Sequence, residues 1–401
     1  MYFERTLSGV LKKVTATFPA VLITGPRQVG KTTLFEKNKE LGRTYVSLDD
    51  PQIRELAQTD PNLFLQTYKT PLLIDEIQYA PELFPYIKMA IDREKKKGLF
   101  WLTGSQQFQM MKNVSESLAG RIAILELQGL SFSEKQQKPE SEPFLPDGGF
   151  KNKQQTDIRQ IYDLILRGSY PELFAVPDLD KNIFYASYLK TYIERDVRDL
   201  LNISDEHSFL KFMRVAASRT GQLLNYSDLA KDVDVSVNTI KSWISILETS
   251  GLIYLLQPYY NNIAKRATKT PKMYFLDTGL CCYLSGWDNA DALSNGAMSG
   301  AILETYVVSE ILKSYWYNGK QAGFYFYRDK DKDEIDLLIE QNGTFYPVEI
   351  KRTASPHQKD VANFEILEKI GLKKGKGAII CFYQNLLPLT KDVNIIPVGY
   401  I

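Results

Sequence analysis

The sequence predicts an α/β protein, in which a parallel β-sheet between helices is followed by helical segments and by a second, smaller α/β unit. Three observations indicate this class. An apolar run that ends in a Gly-rich loop stands at 20–33, AVLITGPRQVGKTT. Further apolar runs alternate with helical patterns as far as residue 127, which is typical of βαβ units and a parallel sheet. Strand and helix patterns then return between residues 299 and 401.

Composition limits the possible classes. With 401 residues, of which 44% are hydrophobic, the chain is long enough for two or three domains. The 49 Lys and Arg residues balance 48 Asp and Glu residues, so any basic binding face must be local. Three cysteines and two histidines argue against a disulfide framework or a Cys/His zinc site. No signal peptide is recognised and no run approaches the ~18 apolar residues of a membrane span, so we expect a cytoplasmic protein without a membrane partner.

The loop at 25–33 has the form G-x-x-x-x-G-K-T of a phosphate-binding loop. Gly25 and Gly30 allow the backbone to turn tightly, so that successive N–H groups point at phosphate oxygens. Lys31 is expected over the β and γ phosphates, Thr32 is expected to offer its hydroxyl to Mg²⁺, and the following helix adds its positive dipole end. The alternative is a Gly-rich turn that binds nothing. The predicted binding residues are Gly25, Pro26, Arg27, Gln28, Val29, Gly30, Lys31, Thr32 and Thr33.

A second apolar strand, at 71–76, ends in the adjacent carboxylates Asp75 and Glu76. In a nucleotide hydrolase the first carboxylate holds the Mg²⁺ shell and the second polarises the attacking water. Paired acids after a strand also cap helices, and this is the interpretation preferred for Asp49 and Asp50 before Pro51. Together with the loop, Asp75 and Glu76 predict a site for nucleotide hydrolysis.

Three further residues, at two places in the chain, are candidates for catalysis. Ser105 and Gln106 follow the strand beside the paired acids, where a polar side chain can sense the γ phosphate; a plain turn is the other interpretation. Arg121 stands just before the fifth strand. There it can reach the γ phosphate of a neighbouring subunit, or it is a surface arginine near a helix C-terminus.

The chain resembles the AAA-type P-loop ATPases of prokaryotes in the succession of its segments, which are the phosphate loop, YVSLDD, PLLIDE, LTGSQ and LAGR. More narrowly, it resembles a bacterial and archaeal family of AAA ATPases with a C-terminal domain of unknown function, as do the segments at 167–172 and 188–199. The resemblance covers nearly the whole chain and implies a five-stranded parallel sheet, ATP with Mg²⁺, and possible homo-oligomerisation. Residues 194–196 would then contact the core, although a solvated helix face is the alternative. We expect an ATPase core at 1–135 and a linker with a helical lid at 136–205.

Residues 206–265 predict a winged-helix domain, because a helix, a turn, a second helix and a β extension follow one another at 209–260. The predicted inner positions are Leu229, Ala230, Val235, Ile240, Ile244 and Leu247. The predicted DNA-facing positions are Ser236, Asn238, Thr239, Lys241 and Ser242, with Lys265, Arg266, Lys269 and Lys272 suited to phosphates. The second helix carries a single cation among these positions, so a protein-contact module is the alternative.

Residues 266–401 predict an α/β domain of αβββαββ order, with a hairpin that turns at Asn342 and Gly343. Asp336, Glu349 and Lys351 lie on the two hairpin strands. Two carboxylates that share a hard cation, with a lysine beside the attacking water, suit metal-assisted phosphodiester hydrolysis. The arrangement resembles the restriction-endonuclease-like PD-(D/E)xK fold, with Glu304 as a further metal ligand, although Ile335 stands in place of the proline. The wet face of a sheet and a chemically silent fold are the alternatives.

The sequence therefore predicts an ATP-binding and ATP-hydrolysing protein whose cycle moves DNA-binding and nuclease-like domains, with DNA as the partner. One alternative is a nucleotide-switched protein-interaction module with a silent C-terminal fold. Another is a nuclease in which ATP regulates access.

Overall fold

The computed structural model describes residues 1–104, 117–139, 142–150, 155–193, 206–260, 270–330 and 333–401. Within these residues, the strands form one sheet of five and one sheet of ten. Among the helices in these ranges, none has the length and apolar character needed to cross a membrane.

The first sheet is parallel and has the spatial order β2-β3-β4-β1-β5. Its strands are β1 Ala20–Thr24, β2 Thr44–Ser47, β3 Leu72–Asp75, β4 Phe100–Gly104 and β5 Ile122–Glu126. The helices of this part are α1 Leu7–Thr17, α2 Lys31–Asn38, α3 Pro51–Thr59, α4 Pro61–Thr67 and α5 Leu83–Glu94, with a 3₁₀ turn at Ile77–Tyr79. Strands β1, β3 and β4 are buried throughout, which explains their continuous apolar runs. The predicted five-stranded parallel sheet is confirmed.

Capping residues fix the helix after β2. Asp50 accepts hydrogen bonds from the backbone N–H groups of Gln52 and Ile53, and Pro51 occupies the first turn. Asp50 therefore caps this helix, as expected from its place before a proline.

A mostly helical region follows the first sheet and ends in a small antiparallel sheet of order β6-β8-β7. Its helices are α6 Phe132–Lys135, α7 Ile158–Arg167, α8 Pro171–Ala175, α9 Lys181–Tyr192, α10 Glu206–Ala217, α11 Tyr226–Val233 and α12 Val237–Thr249. Its strands are β6 Gln222–Leu223, β7 Ile253–Pro258 and β8 Lys272–Phe275. The predicted inner positions of α11 and α12 are buried, namely Leu229, Ala230, Ile240, Ile244 and Leu247, and Val235 packs against them. Helix, turn, helix and β extension thus occur in the predicted order.

The C-terminal part continues that sheet, because β7 pairs in parallel with β9. Its helices are α13 Thr278–Ser285, α14 Ala290–Asn295, α15 Ser299–Trp316 and α16 Ile366–Lys369, with 3₁₀ segments at Gln358–Glu365 and Val398–Tyr400. Its strands are β9 Gly323–Arg328, β10 Glu334–Gln341, β11 Thr344–Ile350, β12 Lys373–Lys374, β13 Gly377–Cys381, β14 Leu387–Pro388 and β15 Val393–Pro397.

The hairpin between β10 and β11 has the predicted two-residue turn. Gln341 pairs with Thr344, and Asn342 and Gly343 have φ values of 53° and 73°. Left-handed backbone at both central residues is the geometry for which Asn-Gly is selected. The turn fixes the register that carries Asp336 and Glu349.

The units share one large apolar core. A single cluster of buried side chains contains Val21 of β1, Ile161 of α7, Ile244 of α12 and Val308 of α15. The first sheet, the helix–turn–helix and the C-terminal part therefore share packing in one apolar core.

Candidate functional site

The phosphate loop connects the end of β1 to the start of α2. Gly25, Gln28 and Gly30 have φ values of 143°, 61° and 90°. A Cβ atom at Gly25 would lie 1.9 Å from the carbonyl oxygen of Leu127, so a larger residue does not fit there. The loop thus turns by the use of left-handed backbone, as the motif requires.

Lys31 is buried and crosses its own loop. Its Nζ donates hydrogen bonds to the carbonyl oxygens of Gly25 at 2.9 Å and of Pro26 at 2.7 Å. The ammonium is thereby held within the loop, where a phosphate chain would meet both the cation and the backbone N–H groups.

Asp75 lies at the carboxyl end of β3 and accepts hydrogen bonds from three hydroxyls. Thr32 Oγ1 donates to Asp75 Oδ1 at 2.8 Å, Thr103 Oγ1 donates to the same oxygen, and Tyr45 donates to Oδ2 at 3.1 Å. Burial, together with the Asp75 charge, raises the pKa of Tyr45 to about 12, so Tyr45 keeps its donating proton. The carboxylate is therefore fixed in orientation beside Thr32.

The Thr32 hydroxyl and the Asp75 carboxylate suit the Mg²⁺ that the loop implies. Both are hard oxygen donors, they are in direct contact, and they lie at the N-terminus of α2 and the end of β3. Mg²⁺ in nucleotide sites is held by few protein oxygens together with phosphate oxygens. These two residues fit that role.

Glu76 follows Asp75 in left-handed backbone, with φ 57° and ψ 46°. Its N–H donates to Thr103 Oγ1 at 3.0 Å, and its carboxylate accepts a hydrogen bond from Gln78 Nε2. Such a conformation is uncommon for a residue with a side chain and persists only where neighbours impose it. Asp75 and Glu76 thus lie side by side at the carboxyl end of β3, on the same end of the sheet as the phosphate loop, as predicted.

Sequence reasoning missed Tyr45 and Thr103. They stand on β2 and β4, the two strands that flank β3 in space. Polar residues near the carboxyl ends of neighbouring strands were the available signal, but its use required the order of the strands.

Arg121 lies away from its own phosphate loop. It precedes β5, which runs parallel to β1, and its carbonyl accepts a hydrogen bond from the N–H of Ala20 at the start of β1. Its guanidinium pairs with Asp92, at 2.8 Å from Nε and 3.2 Å from Nη2. Because the loop follows the other end of β1, Arg121 does not reach it within one chain, and action on a neighbouring subunit stays a prediction.

Several predicted positions lie outside the described residues. These are Ser105, Gln106, residues 194–196, Lys265, Arg266 and Lys269. Their assigned roles stay predictions.

Arg5, which the sequence did not single out, donates a hydrogen bond to the backbone of the phosphate loop. Its Nη1 donates to the carbonyl of Val29 at 2.8 Å, and its Nη2 donates to the carbonyl of Gln128 at 2.8 Å. The side chain is almost fully buried. The loop is therefore attached to the segment that follows β5.

Arg5 also joins this region to the C-terminal helix α15. Its Nε pairs with Glu134 at 3.0 Å, and its guanidinium lies 5.3 Å from the ring centre of Tyr317, just after α15. The Tyr317 hydroxyl donates to the carbonyl of Gly129. No local pattern predicts these contacts, because Arg5 is separated from Glu134 by 129 positions and from Tyr317 by 312.

The helix–turn–helix also contacts the loop. Gly251, two residues after α12, has φ 72°, and a Cβ atom there would lie 3.2 Å from Pro26 of the loop. A change in the conformation of the loop at Pro26 would therefore alter its packing against Gly251, just after α12.

The C-terminal candidates come together as predicted. Lys351 Nζ lies 2.6 Å from Glu349 Oε1, and Asp336 Oδ2 accepts a hydrogen bond from the N–H of Ile350 at 2.9 Å. Burial and the nearby Asp336 charge raise the pKa of Glu349 to about 8 and that of Glu304 to about 7. Burial also raises the pKa of Asp336. The cluster therefore holds protons that solvent-exposed carboxylates would release.

Lys272 occupies the middle of this cluster, so the prediction that it contacts DNA phosphates is wrong. It is 4% exposed, and its Nζ lies 2.5 Å from Glu334, 3.0 Å from Glu304 and 3.9 Å from Asp336. Tyr274, on the same face of β8, donates to Glu304 at 2.6 Å. The carboxylates attract Lys272 inward, away from solvent and from any phosphate.

The arrangement does not fit the metal ion implied for Glu304, Asp336 and Glu349. Across the part of the chain that the structure describes, no three or more His, Cys, Asp or Glu side chains are positioned, as they stand, to hold a metal ion. The ammonium of Lys272 already lies between Glu304 and Asp336, where a divalent cation would meet it as a like charge.

The raised pKa of Glu349 predicts that stability falls as the pH rises. A carboxyl group with an ordinary pKa of 4.5 and a folded pKa of about 8 binds its proton more tightly when folded. Its stabilising contribution is complete below pH 4.5 and is lost as the pH approaches 8. We expect Glu349→Gln to flatten the decline in melting temperature between pH 5.5 and 8.5, measured by circular dichroism.

The matched control is Glu365→Gln, at an exposed position of the same domain. The charged neighbours of Glu349 are Lys351, Asp336 and Glu304, and the pKa of Lys351 is raised, so Lys351 keeps its charge in this pH window. An equal pH slope in wild type and Glu349→Gln would contradict the prediction.

Three family matches divide the chain. Residues 17–135 match an AAA domain, residues 158–291 a domain of unknown function (DUF8612), and residues 299–401 another domain of unknown function (DUF4143). Residues 17–135, which include the phosphate loop, are therefore similar to an AAA domain.

Similar proteins include uncharacterized proteins of Mycobacterium tuberculosis and Mycobacterium bovis. Each is 29% identical over 400 residues, covering 99% of this chain and 84% of the relative. An uncharacterized protein of Methanocaldococcus jannaschii is 24% identical over 324 residues, covering 72% of this chain and 66% of the relative.

Solved structures with partial similarity include a Walker-type ATPase of Pyrococcus abyssi. It has a TM-score of 0.45 and 16% identity, covering 71% of this chain and 96% of that one. AMPPCP-bound DnaA from Aquifex aeolicus has a TM-score of 0.27 and 15% identity, covering 60% of this chain and 85% of that one.

Proposed function

We propose that this protein binds ATP with Mg²⁺ at the loop of residues 25–33, hydrolyses it, and passes the nucleotide state to the helix–turn–helix and C-terminal units. The observation that carries the proposal is the contact between Thr32 and Asp75, with Glu76 held beside them. A turn that binds nothing would not need a carboxylate that three hydroxyls fix at the carboxyl end of the neighbouring strand β3.

The residues of the loop and of the carboxyl end of β3 have separate roles in the proposed hydrolysis. Thr32 and Asp75 would hold Mg²⁺, which neutralises charge on the β and γ phosphates. Lys31 exchanges its contacts with the loop carbonyls for phosphate oxygens, and the loop N–H groups bind the remaining oxygens. Glu76 orients the attacking water and accepts its proton.

Nucleotide binding is the first test. We expect Lys31→Ala to weaken the affinity for a fluorescent ATP analogue by about 10- to 100-fold, because it removes a charge-assisted hydrogen bond donor from the site. The control is Lys37→Ala, which removes an exposed lysine from the same helix. Equal binding by the wild type and both variants would contradict the assignment of the loop.

DNA is the proposed partner of the helix–turn–helix. On α12, Asn238, Lys241 and Ser245 are exposed, whereas Ile240 and Ile244 are buried. Ser236 caps the helix by accepting from the N–H of Thr239 at 3.1 Å. An open polar face at the N-terminal half of such a helix suits a major groove, and we propose that this unit is a winged helix.

The expected result for DNA binding concerns both affinity and salt dependence. Replacing Asn238 and Lys241 by Ala is expected to weaken binding of a fluorescein-labelled duplex and to lower the slope of log K against log salt by about 1. Lys12→Ala, at an exposed position of α1, serves as the control. Fluorescence anisotropy at several salt concentrations measures both quantities.

The protein-interaction alternative is favoured by one observation, the burial of Lys272 among carboxylates. This removes a cation from the predicted DNA face and places it where a nuclease would need metal. Loss of ATP turnover in Lys31→Ala, with neither DNA binding nor DNA cleavage in the wild type, would support the protein-partner function. Cleavage that Lys351→Ala abolishes would instead support a nuclease.

A further inference from the structure

Lys272 is a buried cation that three carboxylates share. It lies at the start of β8, in the sheet of the helix–turn–helix, and its side chain points away from solvent. Placing an ammonium in the interior is costly unless opposite charges surround it. The position of Lys272 therefore depends on the groups that face it.

These groups come from two elements of the C-terminal domain. Glu304 lies on α15, and Glu334 and Asp336 lie on β10, at 3.0, 2.5 and 3.9 Å from Lys272 Nζ. They raise the pKa of Lys272 above its ordinary value despite burial, which alone would lower it. Lys272 therefore remains an ammonium, and its N–H groups point at the carboxylates.

The remaining polar groups of the cluster have partners of their own. Tyr274 donates to Glu304 at 2.6 Å, and Asp336 accepts from the backbone at Ile350. Arg328 lies 3.4 Å from the second oxygen of Glu334. The carboxylates are thus already bonded in several directions, as in a metal site whose ligands are oriented by outer partners.

Each acidic side chain of the cluster already faces a cation of the protein. Lys272 faces Glu304, Glu334 and Asp336. Arg328 also faces Glu334, and Lys351 faces Glu349. A divalent ion bound between Glu304 and Asp336 would lie close to the Lys272 ammonium and be repelled by it. Metal binding would therefore require Lys272 to leave.

We propose that Lys272 is the built-in cation of the C-terminal domain, filling the place between Glu304, Glu334 and Asp336 that a divalent metal ion would otherwise take. The domain is complete without metal. Because Lys272 belongs to the helix–turn–helix sheet, the same contacts fasten that unit to the C-terminal domain. This inference is independent of the proposed ATP hydrolysis.

Manganese binding by the full-length, metal-stripped protein tests the inference. Free Mn²⁺ is measured by electron paramagnetic resonance for wild type and Lys272→Met, each with and without Asp336→Asn. The Asp336→Asn comparison separates this cluster from Mn²⁺ bound at the phosphate loop. We expect the wild type to show no Asp336-dependent site and Lys272→Met to gain one. Lys272→Met should bind Mn²⁺ at this site at least tenfold more tightly than the same protein with Asp336→Asn.

Two outcomes would overturn the inference. One is an Asp336-dependent Mn²⁺ site in the wild type, with Lys272 present. The other is a folded Lys272→Met protein that gains no such site. If Lys272→Met does not fold, Lys272→Gln, which keeps a hydrogen bond donor for Glu304, takes its place, and the wild-type comparison still decides whether the domain takes metal.

Discussion

Replacing Glu76 by Gln is expected to lower the rate constant of ATP hydrolysis by about 10²- to 10⁴-fold, the contribution typical of a general base. Glutamine keeps the shape of the side chain but does not accept the proton of water. ATP affinity should be unchanged, because Glu76 is assigned to the attacking water and not to the phosphates. Steady-state phosphate release and binding of a fluorescent ATP analogue measure the two quantities.

Glu82→Gln is the matched control, because Glu82 is an exposed glutamate six positions further along the chain. It should turn over ATP like the wild type. If Glu76→Gln hydrolyses ATP at the wild-type rate, another group activates the water. If it loses ATP binding as well, the Gln78 contact and the left-handed backbone at Glu76 support the loop rather than the chemistry.

The arrangement of the residues in the proposed nucleotide site could be predicted because its signals are local. The loop is one continuous segment between a strand and a helix, and Asp75 and Glu76 are adjacent at a strand end. The groups that orient Asp75 were not visible, because Tyr45 and Thr103 meet it only through the strand order β2-β3-β4. Chain order does not give that arrangement.

The C-terminal cluster could be predicted only in part. The hairpin register brings Asp336 and Glu349 together, since the Asn342-Gly343 turn specifies it. Lys272 was interpreted as one of several surface cations. Its inward position depends on β8 and β10 belonging to one sheet, with β7 and β9 between them, and on α15 supplying Glu304.

The contacts around the phosphate loop give the proposed signalling a physical route. Val29 is bonded to Arg5, Arg5 stacks on Tyr317 after α15, and Gly251 packs against Pro26. Glu304, which faces Lys272, lies on the same helix α15. The loop, the helix–turn–helix and the C-terminal cluster are therefore connected by direct packing.

Arg5→Ala is expected to lower the free energy of unfolding by about 3–5 kcal/mol, the usual cost of leaving one partner of a buried ion pair alone. Glu134 is fully buried, and it would lose the guanidinium that now lies 3.0 Å away. The carbonyl of Val29 would also lose its donor. Urea unfolding followed by tryptophan fluorescence measures the change.

Arg93→Ala provides the control, because Arg93 is 78% exposed and lies 3.8 Å from Glu94. It should change stability by less than about 0.5 kcal/mol. A loss below about 1 kcal/mol for Arg5→Ala would show that water replaces the guanidinium and that Arg5 does not hold the loop. If the large loss is found, the Arg5→Ala protein that remains folded at low temperature should also bind ATP more weakly, because its loop is no longer fixed at Val29.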